Sequence, residues 1–312
     1  LRSILMAAVF ALFAWAGPAL AEGVALTFDD LPTMSLSDDA AFTRATTRIL
    51  LDGLRRHHMP ATGFVIGEKL EGAEGAGLPR AIVNRWLSAG MGLGNHTATH
   101  ESLNKTPLDA YIADVSRADK DLRPLLSAHG RPLRWFRHPY LETGLTLETR
   151  RGFETWLTAH RYRVAPVTME NADWQFAMVY DNAILHHDKA DADRVRTAYL
   201  DYTAKVTAWY REAAFQLLGR RPDFVYLLHA SRLNADCIDQ LADILRRNHL
   251  RPVSLEHAMR DPAYRIADDY VGPDGDEWLS RWSRTLHKEL PWDSFPEPPA
   301  DIAAENDKLD TP

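Results

Sequence analysis

Short β-prone runs alternate with longer amphipathic ones along most of this chain, and that alternation restricts the fold more than any other feature. Strands read at 24–27, 62–66, 91–94, 133–136, 162–167 and 224–228, with a last short one at 252–253. Helices read between them at 41–57, 79–89, 107–127 (interrupted at Pro124), 146–160 and near 234–248. Ser37-Asp38-Asp39 marks the first helix entry; Pro79 opens the second and Gly90 stops it. A βα order repeated this often predicts an α/β protein, a parallel sheet or barrel with helices outside. Residues 174–222 break the rhythm with a long helical insertion rich in Asp, Arg and Tyr, which reads as packing material more readily than as a lid or partner surface.

The polar residues fall where such a fold gathers chemistry, beyond the C-terminal ends of its strands. Asp29 and Asp30 follow the first strand, and His96 and His100 the third. Arg137 and Tyr140 follow the fourth, Asp173 and Trp174 the fifth, and His229 ends the run Phe224-Val-Tyr-Leu-Leu228. A turn at a strand end can aim both neighbouring carboxylates into one pocket, where one binds a metal and the other stays available as a base; the alternative is a turn cap before Pro32. The spacing His96-x-x-x-His100 predicts two imidazoles on one face of a helical turn, able to share an ion. No Glu follows His96, so this is not the H-E-x-x-H metalloprotease pattern. Arg137 can clamp a carboxylate bidentately, and the Tyr140 backbone N–H can point at a developing oxyanion. Asp173 can orient the His229 ring and raise its pKa, making it an acid; otherwise His229 is a buried imidazole bonded to a carbonyl. His57-His58 read as a helix end, His186-His187 as a solvated face, and His129, His160, His249 and His257 as surface residues after helices. A divalent-metal hydrolase is the function class this constellation predicts.

Composition narrows the setting. Arg2, an apolar run over 4–15, the Gly17-Pro18 break and Ala19-Leu20-Ala21 predict a cleavable signal peptide over residues 1–21, cut after Ala21. The run is too short to span a bilayer comfortably. A periplasmic or secreted protein without stable membrane insertion is the expectation. One cysteine, Cys237, excludes an intrachain disulfide framework, so stability must come from packing. A net charge of −7 with no basic block argues against nucleic acid. The Pro-, Asp- and Trp-rich residues 261–312 read as a C-terminal extension with its last dozen residues loosely ordered. The oligomeric state is left open.

Five short segments, in order, resemble the motifs of polysaccharide deacetylases of carbohydrate esterase family four, the nodulation chitooligosaccharide deacetylase homology domain. They are Thr27-Phe-Asp-Asp-Leu-Pro32, His96-Thr-Ala-Thr-His100 with Leu103-Asn104, Arg137-His-Pro-Tyr140, Glu170-Asn-Ala-Asp173-Trp174 and Leu228-His229. The resemblance implies a distorted (β/α) barrel with the catalytic domain over 22–260, carrying the 174–222 insertion, which compact members lack. By the same resemblance Asp30, His96 and His100 bind a divalent metal, zinc or else cobalt. Asp29, held by Arg137, is the base; Tyr140 supplies the oxyanion donor, and His229 with Asp173 the acid. Leu31 stands where the family has Gly and should crowd the turn or narrow the substrate groove; Glu170 stands where it has Asp. The implied activity is removal of acetyl groups from N-acetylated sugars of a glycan. An O-acetyl esterase acting on xylan-like glycans, a small-molecule amidohydrolase and a non-catalytic glycan-binding relative are the rivals.

Overall fold

A computed structural model describes residues 22–70 and 77–309 of the 312-residue chain. The expected signal peptide, residues 1–21, lies outside the described residues. Seven parallel strands form one sheet: β1 (Glu22–Leu31), β2 (Ala61–Val65), β3 (Gly92–Asn95), β4 (Trp135–Phe136), β5 (Arg163–Val164), β6 (Phe224–His229) and β7 (Leu250–Pro252). The order is β5-β4-β3-β2-β1-β6, with β7 pairing the start of β1. The sheet curls into a half-barrel with helices against it. Its open side is bridged where Met169 pairs with Tyr226, and Leu227 N–H donates to the Met169 carbonyl at 2.9 Å. This is the expected distorted (β/α) barrel, with one difference. The fifth strand shrinks to two residues, because beyond Val164 the chain leaves β4 and crosses to β6.

Alternation along β1 decides what faces where. Val24, Leu26 and Phe28 join the large core cluster with the helices, whereas Ala25 packs in a second cluster with Phe64, Trp135, Ala165 and Val225. Thr27 and Asp29 share the parity of Ala25, so they fall on its side of the sheet. Burial on both faces is what an apolar central strand of a parallel sheet requires.

The helices are α1 (Ala40–Arg56), α2 (Gly77–Ser88), α3 (Leu108–Ala128), α4 (Leu147–Ala159), α5 (Asp173–Leu185), α6 (Lys189–Leu218), α7 (Arg232–Asp236), α8 (Ile238–Arg247), α9 (Leu255–Ala258), α10 (Trp278–Thr285) and α11 (Ala300–Leu309). The α1 cap is as the sequence indicated: the Asp39 carboxylate accepts the N–H groups of Ala41 and Phe42. Pro124 does not interrupt α3. Pro124 and Lys120 are both exposed, so the Lys120 carbonyl that loses its partner can be hydrated. The insertion is a pair of helices, α5 and α6, and Gly219 closes α6 in the left-handed conformation at φ 70°.

The tail departs from expectation. Residues 300–309 are the packed helix α11, not a loose end; Ile302 is fully buried, and Arg194 of α6 holds Asp301 at 2.6 Å and Glu305 at 2.7 Å. Apolar burial together with a two-armed ion pair outweighs the low hydrophobicity that made this segment read as loose. Residues 310–312 lie outside the described residues. Arg150 of α4 anchors the start of the extension through both oxygens of Asp268, at 3.1 and 2.8 Å.

Candidate active site

The C-terminal ends of the strands open into one cavity of about 870 Å³, bordered by Asp29, Asp30, His96, His100, Asp173 and His229. Asp29 sits opposite His229 in the register of the adjacent strands β1 and β6, so strand pairing alone brings these two together. Simple alternation would send Asp30 to the other side of the sheet. It does not, because the β1–β2 register slips between Phe28 and Leu31 and Asp30 takes a left-handed φ of 64°. The rare backbone conformation turns the second carboxylate into the same cavity as the first.

His96 and His100 also converge, although not on a helical turn. Residues 96–100 form a loop in which Thr97 and His100 are left-handed, at φ 64° and 60°. Side chains impose this turn: Asn95 Oδ1 accepts Thr97 N–H, Thr97 Oγ1 accepts His100 N–H, and Asp114 accepts the N–H groups of Ala98 and Thr99. Four side-chain bonds to backbone donors, two local and two from Asp114, outcompete the helix. The two rings meet edge to face at 4.9 Å.

One Asp30 oxygen faces both rings, at 3.5 Å from His96 Nε2 and 3.4 Å from His100 Nε2. That oxygen, Oδ1, is buried without a hydrogen-bond partner, and a ligand atom from each of the three residues lies within 4.8 Å of the others. His96 Nδ1 lies 2.9 Å from the Arg137 carbonyl, which fixes the tautomer that leaves Nε2 with its lone pair. An orphaned carboxylate oxygen between two such nitrogens fits a divalent cation. Burial, above all, lowers both imidazoles to a pKa of about 4, so they are neutral ligands at neutral pH. Burial alone would raise Asp30, but His229, His100, His96 and Lys69 outweigh it and hold it low.

Beside this trio, Asp29 lies against the fully buried Arg137, whose Nη1 reaches its two oxygens at 3.3 and 3.2 Å. The guanidinium is itself fixed by the Ala165 carbonyl, by Thr27 Oγ1 and by the face of Phe64. Burial raises Asp29 to a pKa of about 6, with Arg137 pulling the other way. On the far side, His229 Nδ1 bonds Asp173 Oδ1 at 2.7 Å, and the other Asp173 oxygen accepts the His229 backbone N–H. Burial opposes the imidazolium there, yet Asp173, then Asp30 and Asp29, prevail and lift it to about 9. Tyr140 is left-handed at φ 55°, and its ring packs on His100 at 4.6 Å.

All eight sequence-singled residues therefore border this cavity or contact a residue that does. Leu31 does not narrow it: the side chain is fully buried and turns over Gly63, where an added Cβ would lie 2.4 Å from it. Sequence reasoning missed Asn234. Its amide bonds Asp173 and the His229 carbonyl, and its oxygen accepts the Tyr199 hydroxyl from α6. The insertion thus props the Asp173–His229 pair. The available signal was Ser231, which caps α7 through the N–H of Asn234 three residues on. It also missed Glu277, Trp292 and Asn306 of the extension, which line the same cavity.

Residues 16–151 match the family model described as polysaccharide deacetylase. A peptidoglycan-N-acetylglucosamine deacetylase of Bacillus cereus is 31% identical over 163 residues, 52% of this chain and 50% of that protein. A bifunctional xylanase/deacetylase of Pseudobutyrivibrio xylanivorans is 27% identical over 124 residues, 40% of this chain and 17% of that protein. The chain thus spans half the length of the first relative and a smaller part of the second. Among solved structures, a family 4 carbohydrate esterase from Streptomyces lividans superposes with a TM-score of 0.50 at 22% identity, covering 77% of this chain and 97% of that one. The matched segment holds Asp29, Asp30, His96, His100, Arg137 and Tyr140, and the fold brings Asp173 and His229 to them from beyond it: residues 16–151 of this chain are similar to the polysaccharide deacetylase family.

Proposed function

We propose that this protein is an exported, metal-dependent hydrolase that removes acetyl groups from N-acetylated sugars of a glycan. The observation that carries the proposal is the orphaned Asp30 oxygen between two imidazoles, with a second carboxylate at Asp29 and a charged imidazole at His229 flanking it. Asp30, His96 and His100 would hold a divalent ion, zinc or else cobalt, whose chemistry is to polarise the acetyl carbonyl and acidify a water. Asp29, ionised near neutral pH and locked in place by Arg137, accepts the proton of the attacking water. The Tyr140 backbone N–H donates to the carbonyl oxygen as it gains charge. His229 uses Nδ1 to hold Asp173, which leaves Nε2 to deliver a proton to the departing amine. Proton acceptor and proton donor are thus distinct groups whose pKa values, about 6 and about 9, bracket neutrality in the order a base and an acid require.

Export rests on the sequence of residues 1–21. No described helix is long and apolar enough to cross a membrane. The same site suits an O-acetyl ester, and likeness to the xylanase/deacetylase supports that second reading. Acetate release from chitooligosaccharide, peptidoglycan and acetylated xylan, with zinc, cobalt or chelator, separates the two. Metal content of the purified protein, measured beside this, tests the trio. Turnover that survives Asp29→Asn or His96→Ala, or that ignores the chelator, refutes the assignment. A stoichiometric metal without hydrolysis of any panel member would instead mark a glycan-binding relative.

A further inference from the structure

The C-terminal extension lies outside the segment that matches the family and its described residues contribute no strand, yet it forms one wall of the catalytic cavity. Trp292 stands on that wall with 48% of its surface exposed. Its ring is held at 5.2 Å from Trp209 of α6 and 5.7 Å from Phe295, and Trp209 Nε1 donates to the Pro291 carbonyl at 3.2 Å. An indole fixed by its neighbours but left bare at the edge of a cavity serves a ligand better than it serves the core.

The same wall is rich in acceptors. Asn306 is 2% exposed, borders the cavity, and its Oδ1 has no hydrogen-bond partner. Glu277, also buried, uses Oε1 to cap α10 at Ser280 N–H. Arg284, the wall's one arginine, already lies 2.7 Å from Asp276. An aromatic face above buried acceptors complements a flat ring with C–H bonds on its face and hydrogen-bond donors around its edge. A pyranose has that form.

We propose that the extension builds a second sugar subsite, which takes a pyranose unit linked to the acetylated one, stacks it on Trp292 and accepts hydrogen bonds from its hydroxyl or amino groups at Asn306 Oδ1 and Glu277. This rests on the deacetylase reading and adds which part of the glycan is recognised. The acetylated unit occupies the space between Asp29 and His229, and its neighbour fills the space under the extension. A linked substrate therefore gains affinity that a lone N-acetylated sugar does not.

The test compares acetate release from N-acetylglucosamine and from its tetramer in wild type, Trp292→Ala, Trp292→Phe and Asn306→Leu. In wild type the tetramer should be favoured in kcat/KM by about ten-fold or more, as one well-buried aromatic contact supplies. That preference should shrink at least about five-fold in Trp292→Ala and Asn306→Leu through KM with kcat little moved, and return in Trp292→Phe. Preferences within about two-fold of wild type in both folded variants would overturn the subsite and leave the deacetylase reading standing. Calorimetric titration of Asp29→Asn with tetramer, with and without Trp292→Ala, keeps the two readings apart. If no glycan is hydrolysed but the tetramer binds and Trp292→Ala abolishes binding, the catalytic reading fails and the subsite stands; no binding in either background sinks the subsite. A partly deacetylated tetramer binding more tightly than the acetylated one assigns the donor as an amine, and the reverse order assigns hydroxyls.

Discussion

Replacing Asp173 by Asn changes a single charge beside His229 and keeps the side chain's volume, so it isolates what holds the acid protonated. In the native site burial favours the neutral ring, and Asp173 is the largest influence opposing it; the balance places the pKa near 9. At about pH 7.5 that leaves roughly thirty imidazolium rings for each neutral one. Without the Asp173 charge, burial pulls the ring down with only Asp30 and Asp29 left to oppose it, and a return to its ordinary value of 6.5 would leave about one ring in ten carrying the proton. The proton-donating form would then fall about ten-fold, equivalent to about 1.4 kcal/mol in the barrier for leaving-group departure. A cation at Asp30, His96 and His100 would lower His229 in both proteins alike, so the difference between them still reports Asp173. The assay is kcat/KM for acetate release across pH. The high-pH limb should move down in Asp173→Asn, with the low-pH limb unmoved. A high-pH limb that stays where wild type has it would mean that His229 is not the acid, or that Asp173 does not hold its charge.

Arg137→Met removes the cation that opposes burial at Asp29, so the Asp29 pKa must rise and the low-pH limb of kcat/KM must shift to higher pH; an unmoved limb refutes Asp29 as the base. Ile302→Ala should cost about 2–4 kcal/mol in urea unfolding, because Ile302 is fully buried in α11, and a loss below about 0.5 kcal/mol would mean that the tail does not share the cooperative core. Glu277, raised by burial from 4.5 to about 7, keeps its proton in the folded state where the unfolded chain has lost it. Its contribution is complete below the unfolded value and disappears as pH climbs toward 7, about 3 kcal/mol in all. Unfolding midpoints from about pH 4 to about pH 8 should therefore decline less steeply in Glu277→Gln than in wild type, and identical slopes would refute the burial argument.

The parallel α/β layout was legible because local periodicity dictates it, whereas the distorted barrel was implied by the motif resemblance. Strands such as 224–228 and helix entries such as Asp39 need no long-range information, and a parallel sheet follows from their order. The site residues were legible as residue types at strand ends, but not as geometry. Alternation assigns Asp29 its side of the sheet and would assign Asp30 the other; only the register slip and the left-handed turn, visible in three dimensions, reconcile them. The His96–His100 loop was misread as helical because the spacing is the same, while the decisive bonds come from Asp114, sixteen residues away from Ala98. Asn234 and Tyr199 were invisible for a related reason: each is ordinary where it stands, and only folding places them behind Asp173. The last dozen residues were misjudged because their composition resembles that of a loose tail, whereas burial of Ile302 and the Arg194–Asp301 pair tie them to partners far away in sequence.

The ten residues of β1 find their partners at 61–65, 224–229 and 250–252, so the strand carrying both carboxylates is completed by segments widely separated in sequence. Such wide sequence separation delays closure of the sheet until most of the polypeptide has been made. A growing or prematurely terminated chain then carries Asp29 and Asp30 without the imidazole of His229 opposite them. On the proposed reading, base and acid meet only once β6 has joined β1, so a fragment that stops short of β6 would hold the two carboxylates without their proton donor.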